Sequence, residues 1–189
     1  MCLRRSLAGA TRTRRAWLRR VGVLVAVLGL APATVLASTT VEGALRLGVH
    51  PAAPVIPLQQ IGSSRRLSLA DYRGQVVILS FLAPWCSPDC IVGLPALKQL
   101  DRQFQATHSG VLVLDAILSP RGQVTAFFKK FGLSIPAMYD AKDALGNAFG
   151  IHGIPSTFAI DKAGRVVAFV DNKPQSLAQL QKLVAQAAK

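Results

Sequence analysis

The chain has 189 residues and carries 22 Lys and Arg against 9 Asp and Glu, a formal net charge of +13. Seven of the positive charges fall within residues 1–37, which contain no acid; the other 15 Lys and Arg against 9 Asp and Glu leave +6, spread without a basic run interleaved with aromatics, which excludes a dedicated nucleic-acid surface. The roughly 150 residues beyond that segment suffice for one domain with its own core and are too few for two ordinary ones.

The N-terminal segment reads as a targeting signal. Arg4, Arg5, Arg12, Arg14, Arg15, Arg19 and Arg20 precede an apolar stretch from Val21 to Leu36, and Val35-Leu36-Ala37 before Ser38 offers a small-residue cleavage site. This is the pattern of a secretory signal peptide over residues 1–37. An N-terminal membrane anchor over 21–36 is the competing reading; at about sixteen residues the stretch falls short of the ~20 needed to span. Either way the domain is placed in the periplasm or another extracytoplasmic space. Leu18-Arg19-Arg20 ahead of the apolar core also permits twin-arginine export. Cys2 leaves with a cleaved leader, so the mature chain keeps only Cys86 and Cys90. Residues 38–50 read as a linker, and the proline-rich stretch from Pro51 to Pro57 as an extended lead-in to a domain spanning 51–189.

Val76 to Leu82 is short, apolar and preceded by Arg73-Gly74, as a buried strand would be. Ile91, Leu94, Leu97, Leu100 and Phe104 then recur at spacings of three and four, the face of one helix. Val111–Ile117 predicts a second strand, Gln123–Phe131 a helix ending at Gly132, and Ala144–Phe149 a short helix closed by Gly150. Ser156–Ile160 and Val166–Val170 pair as a hairpin across Asp161–Gly164, and Ser176–Ala188 makes a terminal amphipathic helix. Strands alternating with helices and a late hairpin give an α/β fold, a central mixed β-sheet flanked by helices.

Between the first strand and the first helical face stands Trp85-Cys86-Ser87-Pro88-Asp89-Cys90. Cys86 lies near a strand-to-helix junction, where free N–H groups and the helix dipole favour a thiolate and lower a cysteine pKa from about 8.5 to roughly 3.5 to 7.5. It is the better nucleophile of the two. Helical geometry puts residues four apart on one face with Cα atoms roughly 6 Å apart, within the bridging range of about 4.4 to 6.8 Å. A Cys86–Cys90 disulfide is thus permitted, whether redox-active or structural, as is a pair of packed thiols. A bridge closing so short a loop restricts the unfolded chain little, which weakens the structural reading.

The chain resembles the thioredoxin superfamily and, within it, the exported TlpA/ResA-like redoxins. The resemblance runs from about residue 50 to the C-terminus and rests on Ala53-Pro54 with Leu58, Leu69-Ala70-Asp71-Tyr72-Arg73-Gly74, Phe81 with Ala83-Pro84-Trp85-Cys86, and Gly153-Ile154-Pro155-Ser156-Thr157-Phe158-Ala159-Ile160-Asp161 with Gly164. It implies a cis peptide bond at Pro155 facing the cysteines, a backbone at Ile154 that docks extended substrate chains, and an apolar docking surface at Trp85. It also implies thiol-disulfide exchange with disulfide-containing or thiol partner proteins, an upstream electron donor such as a membrane thiol reductase, no cofactor, and a family-level link to cytochrome c maturation. Cys86 would attack and Cys90 resolve. Three positions depart from the pattern. Cys-x-x-x-Cys replaces Cys-x-x-Cys, Ser80 stands where thioredoxins bury an acid, and Gly93 stands where ResA-like chains carry a glutamate. Asp89 and His152 are the substitutes available as proton acceptors. Pro88 is acceptable in the first turn of a helix, where its missing N–H costs little.

A second reading belongs to another class. SCO-like copper chaperones share the thioredoxin-like fold, Cys-x-x-x-Cys and a distant histidine, and two thiolates with an imidazole suit Cu(I), here Cys86, Cys90 and His152. Their local pattern differs, with proline directly after the first cysteine and no counterpart of Ile154-Pro155-Ser156-Thr157. A peroxiredoxin is excluded, because four residues after Pro84 stands Pro88 in place of Thr or Ser, and Cys90 falls one residue early.

Overall fold

The structure is a computed structural model that describes residues 40–189. The leader or anchor expected over residues 1–37 lies outside the described residues. Seven strands form one mixed sheet: β1 (Leu58–Gln60), β2 (Arg66–Leu67), β3 (Val77–Leu82), β4 (Val111–Ile117), β5 (Ala137–Asp140), β6 (Ser156–Ile160) and β7 (Val166–Val170), in the spatial order β2-β1-β5-β4-β3-β6-β7. β3, β4 and β5 run parallel, as the helical crossovers between them require, while β6 and β7 return as an antiparallel hairpin beside β3. β3 is central and wholly buried, which is why its sequence is a continuous apolar run rather than an alternating one.

The helices are α1 (Val41–Arg46), α2 (Asp89–Thr107), α3 (Arg121–Phe131), α4 (Ala144–Phe149) and α5 (Leu177–Ala187). Successive residues of β3 point to opposite faces. Ser80 looks toward Cys90 of α2, and Phe81 looks the other way, edge-on to Phe149 of α4 at 5.4 Å and to Phe158 of β6 at 5.8 Å. α5 lies beside α2, and Lys98 of α2 donates from Nζ to the carbonyl of Phe131 at the end of α3 (3.1 Å). α3 ends where expected, because Gly132 takes the left-handed conformation (φ 57°) that lets its N–H reach back to the last turn.

Three strands and a helix were absent from the expected pattern. β1, β2 and β5 are two to four residues long, too short for a period of two to register. Residues 41–46, expected within a linker, form α1, capped by the Thr40 hydroxyl accepting from Gly43 N (3.2 Å), and Val41 joins the core. The proline-rich lead-in is extended as expected: Val166 N donates to Pro51 O and Ala53 N to Gly164 O, tying it to the hairpin.

Candidate active site

Six residues, Ala83 to Pro88, carry the chain from the end of β3 to the start of α2. Within them Cys86 N donates to Ala83 O (3.1 Å), and Cys90 N donates to Cys86 O (2.9 Å), a helical hydrogen bond closed across the proline. The Ser87-Pro88 peptide is cis and Pro88 occupies the N-cap, so the proline stands one position ahead of the first turn rather than within it. This turn brings the cysteines together. Cys86 and Cys90 form a disulfide with S–S 2.19 Å and Cα atoms 5.4 Å apart, inside the range that a bridge accepts. The two sulfurs are unequal in access. Cys90 is 2% exposed and part of the core, whereas Cys86 is only half-buried, at the N-terminal end of a 19-residue helix whose dipole favours its thiolate.

Ile154-Pro155 is cis and sits at the start of β6, next to β3, so that Cys86 Sγ lies 3.3 Å from the Ile154 carbonyl oxygen. The segment is held from behind: Lys173 N donates to Pro155 O (2.9 Å), and Ser156 Oγ accepts from Asn172 N (3.0 Å) while lying 2.6 Å from Asp171 Oδ1. Trp85 is 55% exposed, so it is no core tryptophan; its Nε1–H donates to Leu118 O (3.2 Å). Trp85, Leu118, Asp143, Ile151, His152 and Ile154 border a groove of about 380 Å³ beside the sulfurs, large enough for one substrate side chain.

Both suggested proton acceptors are exposed. Asp89 is exposed on the first turn of α2 while its neighbour Cys90 is buried, since adjacent helical side chains diverge by about 100°. The His152 side chain is 79% exposed, and its Nε2 lies 3.7 Å from Glu42 Oε2, the distance of an ion pair when the imidazole is protonated. The same placement corrects the copper reading. The imidazole of His152 faces Glu42, and among the described residues no three His, Cys, Asp or Glu side chains converge as a metal site, so Cys86, Cys90 and His152 do not form the expected Cu(I) set.

Two further features were not anticipated. Next to Cys90, Ser80, Gly93, Thr157 and Gln175 line a small cavity, and Ser80 Oγ and Thr157 Oγ1 are hydrogen-bonded at 3.2 Å. On the opposite face of the sheet, Asp115, Asp140 and Asp143 are neighbours. Burial pushes the Asp115 carboxyl well above the ordinary range, and the negative charges of Asp140 and Asp143 push it further the same way. Asp143 is also raised, by burial and then by Asp140.

The chain is 36% identical over 102 residues to the thiol-disulfide oxidoreductase ResA of Geobacillus thermodenitrificans, covering 54% of this chain and 58% of that protein. It is 26% identical over 108 residues to ResA of Bacillus subtilis, covering 57% of this chain and 59% of that one. The chain therefore matches less than two thirds of the length of these relatives. Among solved structures, a thiol:disulfide interchange protein of the thioredoxin family from Chlorobium tepidum superposes with a TM-score of 0.63 at 28% identity, covering 73% of this chain and 96% of that one. The redoxin family model matches residues 51–183, which include β1 to β7, both cysteines and the Ile154-Pro155 peptide, and the chain belongs to the redoxin family.

Proposed function

We propose that this chain is an exported thiol-disulfide oxidoreductase that reduces disulfides of extracytoplasmic partner proteins through a Cys86/Cys90 dithiol-disulfide cycle. The observation that carries the reading is the cysteine pair at bonding distance, set against the Ile154 carbonyl at 3.3 Å. The thiol-disulfide oxidoreductase relatives agree with it.

The exposed partner in each step follows from burial. Cys86 thiolate attacks one sulfur of the partner disulfide; that bond breaks, its electron pair leaves on the second partner sulfur, and that sulfur takes up a proton. Cys90, shielded in the core, then loses its proton and attacks Cys86 Sγ. The Cys86–Cys90 bond forms, and the partner's first sulfur departs with its electron pair and is protonated. The partner has gained two electrons and two protons. An upstream dithiol donor returns the bridge to the reduced state. The sulfurs hold both electrons throughout, so the cycle calls for no cofactor. Trp85, Ile154 and Pro155 form the docking surface, the groove taking a side chain of an extended substrate whose backbone lies along Ile154.

Placement outside the cytoplasm is supported by the arginine-rich, then apolar, residues 1–37. Among the described residues no helix is long and apolar enough to cross a membrane. The sequence resemblance extends the proposal to disulfides of apocytochromes during cytochrome c maturation.

The test is disulfide exchange by the purified protein on insulin and on a model mixed disulfide. Cys86→Ser should abolish reduction, and Cys90→Ser should accumulate a covalent complex with the substrate. Normal exchange in the parent with no trapped complex in Cys90→Ser would overturn the assignment of nucleophile and resolving thiol.

A further inference from the structure

Cys90 is 2% exposed, yet the cycle needs it as a thiolate at the moment it attacks. Burial of an unassisted thiolate is costly, and both Asp89 and His152 are exposed where Cys90 is buried. The cavity next to it has a specific composition. Its polar lining is Ser80, Thr157 and Gln175 beside Cys90 and Gly93, the rest being apolar, with about 10 Å³ open to the centre of a water, roughly what one water molecule needs.

Gln175 is the unusual member. It is 6% exposed and lies in the short segment between β7 and α5. Its Nε2 donates to Lys173 O, and its Oε1 is buried with no hydrogen-bond partner among the described residues. A buried amide oxygen left without a donor is destabilising by an amount comparable to a lost hydrogen bond, so a donor at this place has a thermodynamic reason to be there. The two hydroxyls opposite it satisfy each other with one proton, and the second hydroxyl proton remains free to donate.

The geometry points to a single structural water in this cavity, held by Gln175 Oε1 and the Ser80/Thr157 hydroxyls, that donates a hydrogen bond to Cys90 Sγ and so supports its thiolate in place of a buried acid. The water gives one O–H to Gln175 Oε1 and the other to the sulfur, and accepts from the free hydroxyl. That is three partners, the usual complement of a buried water. Gln175 is thus a positioning residue: it acts on the sulfur through the water. The loop that carries it is fixed to the docking element by Lys173 N donating to Pro155 O at 2.9 Å, so the support for Cys90 and the surface that receives substrate share one anchor.

The inference rests on Cys90 being the resolving thiol, and two variants test it separately. Gln175→Leu removes the orphaned oxygen at similar volume. Gly93→Ala adds a methyl at the cavity wall instead: a Cβ built there meets Pro174 Cβ at 3.6 Å and Gln175 N at 3.9 Å, ordinary contacts, so the fold accepts it, and a cavity with about 10 Å³ for a water should not keep one beside it. In a Cys86→Ala background, titration of Cys90 by thiolate absorbance should move up by about one pH unit in each variant, since a hydrogen bond to a charged group is lost. In the variants that retain Cys86, the thiolate fraction falls about tenfold below the pKa while each thiolate becomes about threefold more nucleophilic, so resolution of the mixed disulfide should slow about threefold. Above the pKa the variants should overtake the parent. That crossing is not expected of a merely loosened fold. An unchanged Cys90 titration in folded Gly93→Ala overturns the proposal even if Gln175→Leu fails to fold. A shifted titration in a protein that exchanges no disulfides would overturn the proposed function and leave the water site standing.

Discussion

Two polar clusters are buried at the same level of the sheet, one on each face. Ser80 and Phe81 are adjacent in β3, in register with Leu114 and Asp115 of β4. On the Ser80 face, next to Cys90, the cluster is neutral: two hydroxyls and an amide. On the Phe81 face it is acidic, with Asp115 wholly buried and neither of its carboxylate oxygens hydrogen-bonded among the described residues. Asp140 accepts from Ala144 N (2.8 Å) and Leu145 N (2.7 Å) and so holds the start of α4. The chain therefore does bury acids in its sheet on the face turned away from Cys90, and one member of that cluster, Asp143, reaches the groove bordered by Trp85 and Ile154. In consequence no acid lines the cavity at Cys90, and the buried carboxyl of Asp115 ties stability to pH from the other face.

The strongest challenge to this separation is Phe81→Ala. The ring is fully buried among Phe149 and Phe158, and its loss should cost about 3–5 kcal/mol in chemical denaturation. Disulfide exchange measured where the variant is still folded should stay close to that of the parent. A loss of exchange in step with stability would show that the two faces do not act independently.

Asp115→Asn tests the acidic side at smaller amplitude. In the unfolded chain this carboxyl releases its proton near pH 4, while in the fold it holds the proton to higher pH. Above about pH 4 the folded state therefore binds more protons than the unfolded state, and stability declines as pH rises until the folded carboxyl also titrates. The substitution should remove that decline. It should add on the order of 1 kcal/mol at pH 7, nothing near pH 3, and leave the pH profile of exchange unaltered. Denaturant midpoints at the two pH values decide the matter.

The smallest effect belongs to the rim of the groove. Trp85→Phe keeps an apolar ring and deletes the donor to Leu118 O, a half-exposed hydrogen bond worth about 0.5 kcal/mol. Reduction of a protein disulfide should fall by about twofold, while reduction of a small-molecule disulfide stays the same. An equal loss on both substrates would place Trp85 in the chemistry rather than in docking.

How much of this was legible in the sequence depended on length and locality. β3, β4 and the β6–β7 hairpin announced themselves because four or more consecutive side chains answer to one environment. β1 and β5 did not, since their pairing is with each other across nearly eighty residues and each is too short to show a pattern. In the site, Cys86 and Cys90 were readable because their chemistry is local, one helical turn apart. Asp89 and His152 suggested themselves by closeness in sequence to the cysteines and to Pro155, and the fold turns both outward. Gln175 gave no local signal. It lies in a proline-containing connection and becomes relevant only because β7 returns that connection to Pro155.

The contacts of α1 bear on where this protein can be cut. Thr40 sits so close to Gly150 that a Cβ there would overlap its hydroxyl, and Glu42 lies beside His152, two residues before the peptide that faces the sulfurs. Val41 is buried in the common core although it precedes the first residue matched by the family. A recombinant domain begun at Pro51, where the family resemblance starts, would strip this covering from the segment that leads into Ile154-Pro155. One begun at Ser38 would keep it.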